Sequence, residues 1–262
     1  MTDITISEVA IAHTIAEAFR ANTAEEREEL SLNGMYLVPW AAQEGYNQML
    51  SVLLGAGFSA NKGDAIFAAI KFGNLEGAEI LRAAGAITTI NDTHIIEVAI
   101  ESTIEVVEFA LDDLKRLRND HLSYFRSTIE RATAEAAVAG NTEIYRMLRE
   151  VLPEKGELMV RDRVSLFRAI AGWENYGNAD VLKAMIEEDP DGNIWGAFDR
   201  FSGLEQACEN GSDEKVEILL FDKVITDSRF FNLDTFNKLK PGASDSIREI
   251  LNDYESNVLS LA

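Results

Sequence analysis

Apolar residues in this chain recur three and four positions apart and are interrupted at regular intervals by glycine. The stretch 204–220 shows this most clearly. Its first half carries small and apolar residues on one helix face, namely Leu204, Ala207 and Cys208. Asn210-Gly211 ends that helix, and Ser212 is placed to cap a second, apolar helix. The pattern predicts a helix–turn–helix hairpin of about 20 residues, whose apolar face must be buried against other hairpins.

The same phasing recurs at six anchor positions along the chain. Small or apolar residues precede each anchor, and apolar residues follow it by four to eight positions. The anchors are Gly45, Gly73, Ser102, Gly140, Gly177 and Gly211. Their spacings of 28, 29, 38, 37 and 34 residues average about 33. A period in this range is typical of stacked helical repeats.

The turn chemistry supports the phasing. Gly-Asn pairs occupy 73–74, 140–141 and 177–178, where glycine ends one helix and asparagine is suited to cap the next. The pairs Ala41-Ala42 and Ala136-Ala137 lie just before their anchors and predict a close approach of neighbouring helices.

The segment Ala41–Asn61, AAQEGYNQMLSVLLGAGFSAN, resembles an ankyrin repeat almost position for position. The resemblance extends over roughly residues 32–221 and is strongest at Gly45 and Gly211. It implies an all-α, ankyrin-like helical-repeat solenoid of about six to seven helix pairs, with the first helix of each pair lining a concave face. The family's Thr-Pro-Leu-His helix opening is missing, and the spacings of 28 and 29 residues leave little room for projecting hairpins between the first repeats.

The organisation that follows has three parts. Residues 1–31 are predicted to form an N-terminal helical cap, residues 32–221 the ankyrin-like repeats, and residues 222–262 a C-terminal degenerate repeat or cap. Within the repeats, we predict extended helices near 111–118 and 121–139. A turn at 189–193 leads into an aromatic connector at 194–201.

Composition narrows the environment and the partners. The chain has 262 residues and one cysteine, and no apolar run approaches the roughly 20 residues of a membrane span. The N-terminus has no signal-peptide pattern, so we expect a cytoplasmic protein with no membrane association. The formal net charge of −21 argues against direct binding of nucleic acid. It favours either solubility alone or attraction to a basic partner.

No sequence motif points to catalysis, a cofactor or a metal. Gly55-Ala-Gly57-Phe-Ser-Ala60 matches a dinucleotide pattern but follows a helix, which indicates a helix C-cap. The segment from Asp189 begins like a calcium loop but has Ile194 and Arg200 where Gly and Glu are needed. The histidines are scattered at His13, His94 and His121. Cys208 takes an alanine position on a buried face. We therefore predict a protein that is not an enzyme.

Three sets of residues are candidates for recognition. The first is an insertion within a repeat that carries Trp173, Glu174 and Tyr176, with aromatic types that are enriched at binding hot spots. The second is a set of acids on or beside first helices, namely Glu97, Glu101, Glu174, Glu205 and Glu209. The third is an apolar cluster that we expect to pack the last repeat, namely Phe230, Phe231, Leu233 and Phe236.

The sequence thus favours a non-enzymatic protein–protein interaction module that binds a basic surface of a partner protein. Proteins of the ankyrin family with degenerate repeats include effectors and inhibitors that act in another cell's cytoplasm, and the resemblance implies such a role here. One alternative is an acidic nucleic-acid mimic that blocks a nucleic-acid-binding protein. The other is an enzyme with an unrecognised carboxylate site.

Overall fold

The computed structural model of the chain is helical. It describes residues 10, 11, 13–17, 37–86, 103–117, 122–152, 165–173, 177–226 and 233–257. Contacts divide the chain into two units, Met1–His121 and Leu122–Ala262. Within the described residues there are helices and no β-strand, as the sequence pattern predicts. The predicted division at residues 31 and 221 stays a prediction.

The first unit contains short paired helices. They are α1 Leu37–Gln43, α2 Asn47–Ala56, α3 Ala65–Lys71, α4 Leu75–Ala83 and α5 Ile104–Leu117, with a 3-10 turn at Lys62–Asp64. Helix α1 packs on α2 and α3 packs on α4. Across the pairs, α1 contacts α3 and α2 contacts α4. Each helix of a pair therefore meets its counterpart in the next pair.

The second unit follows the same rule with longer helices. They are α6 Leu122–Val138, α7 Thr142–Val151, α8 Leu166–Gly172, α9 Ala179–Glu188, α10 Ala197–Asn210, α11 Asp213–Leu220, α12 Lys223–Thr226, α13 Leu233–Leu239 and α14 Asp245–Asn257. The first helices α6, α8, α10 and α13 contact one another in that order, and so do the second helices α7, α9, α11 and α14. The extended helices predicted near 111–118 and 121–139 are confirmed as α5 and α6.

One hydrogen bond recurs at four of the predicted anchors. The backbone N–H of the residue after the glycine donates to the carbonyl of the alanine four residues before the glycine. The pairs are Tyr46 to Ala41, Asn74 to Ala69, Asn141 to Ala136, and Ser212 to Ala207, at 2.8–3.0 Å. The intervening glycines have φ between 75° and 79°. This is the six-to-one bond of a Schellman helix end, which requires a left-handed residue before the donor.

Asparagines in these turns also join successive pairs. The Asn74 side chain accepts from Gly77 N at 3.0 Å, which caps α4, and donates to the Ala42 carbonyl at 2.8 Å. Asn178 caps α9 through Val181 N and donates to the Gly140 carbonyl at 3.0 Å. Asn210 donates to the Gly172 carbonyl. The predicted capping by the Gly-Asn pairs is confirmed, and the links to the preceding pair are additional.

A buried charged cluster fixes the start of α10. Arg200 is fully buried and donates to the carboxylates of Asp222 at 2.6 Å and Asp189 at 3.1 Å, and to the Trp195 carbonyl at 2.9 Å. The Asp189 carboxylate also accepts from the backbone N–H groups of Asn193, Ile194 and Trp195. The Asp189 carboxylate therefore stabilises the turn that the sequence predicts at 189–193.

Two local predictions are wrong. The connector predicted at 194–201 ends early, because α10 begins at Ala197 and buries Arg200 and Phe201. Ser212 occupies the N-cap of α11, but its side chain makes no capping hydrogen bond. Ala137, Cys208 and Phe236 are buried as expected, and Gly57 is the C-cap of α2.

Candidate interaction surface

The most distinctive surface in the second unit is the exposed side of α10, which we call the α10 face. It begins at Phe198 and continues with Ser202, Glu205 and Glu209, which come four, seven and eleven residues after Phe198. This spacing aligns side chains along one side of a helix. Phe198 is 60% exposed, Ser202 is half-buried, and both glutamates are exposed. The opposite side of α10 is buried, including Leu204, Ala207 and Cys208.

The two glutamates lie one helical turn apart and carry like charge. Partial loss of hydration raises the pKa of the Glu205 carboxyl, and the neighbouring Glu209 carboxylate raises it further, whereas Lys238 on α13 lowers it. Burial beneath them, together with both carboxylates, raises the pKa of the Cys208 thiol to about 12. In the part of the chain that the structure describes, no cation lies within 4.0 Å of either glutamate. The pair therefore presents negative charge that Lys238 offsets only in part.

Helix α8 lies against one flank of α10 at close range. A Cβ on Gly203 would come within 2.6 Å of the Ala171 side chain, and one on Gly172 would meet the Gln206 side chain at 2.3–2.4 Å. Only small residues allow this approach. At the other end of the same contact, the Arg168 guanidinium lies 5.9 Å from the Phe198 ring centroid, which is within cation–π range.

Trp173 stands at the C-terminal end of α8 and is half-buried. Its carbonyl accepts from the Lys215 ammonium at 3.1 Å, and the same ammonium reaches the Ile170 carbonyl at 2.7 Å. Lys215 is on α11, so the next helix pair caps α8 with a positive charge. Burial lowers the pKa of this lysine. The start of the inserted segment is therefore held by a specific contact.

The end of the inserted segment is held equally closely. Gly177 N donates to the Val138 carbonyl at the end of α6 at 2.7 Å. A Cβ at Gly177 would come within 2.8 Å of both the Ala137 carbonyl and the Ile170 side chain. The two residues that flank 174–176 are therefore held by α11 and by the end of α6.

Of the predicted binding residues, the structure places Glu205 and Glu209 on α10 and Trp173 directly after the adjoining helix α8. Asn210, next to Glu209, contacts the carbonyl of Gly172, next to Trp173. Glu174, Tyr176, Glu97 and Glu101 lie outside the described residues, as do Phe230 and Phe231.

Sequence reasoning missed Phe198 and Lys215. The spacing of Phe198 to Glu205 and Glu209 was a usable signal, but it depends on knowing that α10 begins at Ala197. Lys215 follows two acids in a helix and has the pattern of a surface residue, so no sequence signal shows its burial. The first unit also carries an aromatic pair that was missed, the exposed Trp40 and the half-buried Tyr46, with ring centroids 5.2 Å apart.

Other kinds of site find no support in the described ranges. No three His, Cys, Asp or Glu side chains there come together so as to hold a metal ion. None of the helices there combines the length and the apolar character that a bilayer span needs. Comparison with models of known protein families found no match, and comparison with curated proteins found none either. The chemistry of the α10 face and of the segment beside it is therefore the basis for a functional proposal.

Proposed function

We propose that the chain is a non-enzymatic interaction module, built of ankyrin-like helix pairs, that binds a basic surface of a partner protein as an effector or inhibitor. The recurring Schellman turns support equivalent helix pairs. So does the packing of first helices on first helices and of second helices on second helices within each unit. This is the contact order that a repeat stack requires.

The observation that carries the proposal is the pair Glu205 and Glu209. The two carboxylates lie one turn apart and repel each other, and Glu205 has lost part of its hydration. No cation of the described residues lies within 4.0 Å of them, so their ionised forms are destabilised. A lysine or arginine from a partner would stabilise these forms. Exposed charge pairs mainly speed association and set specificity, so the interaction should be sensitive to salt.

Trp173 supplies the apolar part of the same site. It is half-buried, its backbone carbonyl accepts from Lys215, and it adjoins the end of α10. An aromatic side chain offers a large contact area with few rotatable bonds, which is one reason why such residues dominate binding energy.

The second helices favour a second candidate, the acidic nucleic-acid mimic. Each of α7, α9 and α11 exposes two carboxylates, α14 exposes three, and these helices pack in sequence. The residues are Glu143, Glu150, Asp180, Glu187, Glu214, Glu217, Asp245, Glu249 and Asp253. Packed helices lie about 8–10 Å apart, so carboxylates recur at intervals of that order. Lateral pairs such as Arg146–Glu187 at 2.7 Å neutralise part of this charge, which places the mimic second.

The two candidates are separated by reversing charge on one face at a time. We expect affinity capture from a cell lysate, followed by mass spectrometry, to recover a basic protein with the wild type. The Glu205→Lys/Glu209→Lys variant should lose this protein. The matched variant Glu249→Lys/Asp253→Lys, with the same spacing on α14, should retain it. Circular dichroism checks that all three proteins are folded.

If only the α14 variant loses the partner, the interface lies on the second helices, and this result would support the nucleic-acid mimic. Equal recovery with all three proteins, at low and high salt, would contradict the proposed site.

A further inference from the structure

The α10 face has a fixed order of chemistry along its length. Phe198 lies at one end, with the Arg168 guanidinium beside its ring. Glu205 follows about 10 Å further along and Glu209 about 16 Å, from a rise of ~1.5 Å per residue. The face therefore runs from an apolar end, where Arg168 is also close to the Asp199 carboxylate, to a negative end.

This order restricts what can lie on it. The exposed Phe198 ring favours an apolar side chain beside it, while the glutamates favour basic side chains two and three turns away. Nucleic acid is disfavoured because phosphates would meet both carboxylates. A second copy of this chain is disfavoured by its own net charge of −21. A straight row of positions at helical spacing is best matched by another helix, whose side chains repeat at the same interval.

We propose that the α10 face binds a basic amphipathic helix of a partner protein, with one apolar side chain against Phe198 and two basic side chains beside Glu205 and Glu209. This inference rests on the proposed function and adds the class of partner. Phe198 is the apolar anchor, since it is 60% exposed while its ring has a cation beside it. Burying such a ring is the kind of contact that forms a hot spot.

The test uses two synthetic helical peptides of equal charge. The first carries leucine at one position and lysine seven and eleven residues later on an alanine background. The second has serine in place of that leucine. We expect the wild-type protein to bind the leucine peptide about tenfold or more tightly than the serine peptide, as measured by fluorescence anisotropy. Phe198→Ser should reduce this ratio to about one.

The charge variants separate specific from general attraction. Glu205→Gln/Glu209→Gln should weaken both peptides equally and leave the leucine preference in place. The matched variant Glu249→Gln/Asp253→Asn removes two charges with the same spacing from α14 and should bind both peptides as the wild type does. Phe72→Ser, which removes another exposed phenylalanine, should also have no effect. Thermal unfolding confirms that each variant is folded.

Equal binding of the two peptides to the wild type would overturn the proposal, and so would equal weakening by the α10 and α14 charge variants. If neither peptide binds but a captured partner is lost from Glu205→Lys/Glu209→Lys, this inference fails and the proposed function stands. If that partner is also retained, both fail.

Discussion

The Glu205 carboxyl responds to neighbours of both signs. Lost hydration and the Glu209 carboxylate raise its pKa above the ordinary value of 4.5, and Lys238 opposes them. Because the folded state raises this pKa, protonated Glu205 favours folding, and ionisation destabilises the fold as the pH rises. A cation bound beside the pair would lower the pKa of Glu205. Binding of the proposed basic partner would therefore favour release of a proton from Glu205.

This balance can be measured residue by residue. We expect an NMR titration of the Glu205 side-chain carboxyl carbon to give a pKa above that of an ordinary glutamate. Glu209→Gln should lower this pKa, because it removes a like charge, and Lys238→Met should raise it, because it removes the opposing cation. If both substitutions leave the titration unchanged, the carboxyl is not coupled to these two groups.

Helix pairs are joined by single side chains that serve both as caps and as cross-links. Asn74 accepts from the first turn of α4 and donates to α1 of the preceding pair. It also donates to the Asn47 side chain at 2.9 Å. A Cβ on Gly77 would come within 2.1 Å of the Asn74 amide, so a residue without a side chain is needed at that position. One residue thus combines helix capping with attachment between pairs.

These two roles can be separated by substitution. Asn74→Ala should lower the free energy of unfolding by about 2 kcal/mol, from about 1 kcal/mol for the cap and about 1 kcal/mol for the link to Ala42. Asn74→Ser keeps a good N-cap but does not reach Ala42, so it should lose about half as much. Urea unfolding with an unchanged slope measures both values. Two variants as stable as the wild type would show that the link contributes nothing.

Elements were predictable from sequence where the information is local. The glycine anchors at 45, 73, 140 and 211 and the alanines before them specify Schellman ends within six residues, and these appear where the phasing places them. At Gly177-Asn178 only the asparagine cap appears, because the preceding helix already ends at Gly172. The start of α10 was missed because an arginine in a sequence is normally expected on the surface. Arg200 can be buried only because the Asp189 and Asp222 carboxylates pair with it. The structure places the predicted residues Glu205 and Glu209 on α10 and Trp173 directly after α8, whereas identifying Phe198 requires knowing that α10 begins at Ala197.

At the scale of the whole molecule, contacts divide the chain at His121. The second unit contains four first helices and four second helices that pack in order among its described residues, with its own buried core. In a repeat array, stability comes from each pair and its immediate neighbours. We therefore expect the helix contacts within the second unit to be sufficient for its folding.

We expect residues 122–262 expressed alone to fold and to unfold cooperatively on heating, with circular dichroism dominated by helix. The same fragment with Leu219→Asp is the control, because this substitution places a charge at a fully buried position of α11 and should prevent folding. A wild-type fragment that lacks helical signal would show that the second unit depends on the first.

The asparagine links have a direction that bears on how the chain is synthesised. Three of these links end on a main-chain carbonyl of the preceding pair, and in all three the later pair is the donor, from Asn74, Asn178 and Asn210. Lys215 does the same for α8. A link between side chains runs the other way, from Asn47 to Glu76. In a chain that emerges from the ribosome with its N-terminus first, the carbonyls of Ala42, Gly140 and Gly172 therefore lack these donors until the following pair has been translated. We expect a chain that ends before such a donor to be less stable at that helix end.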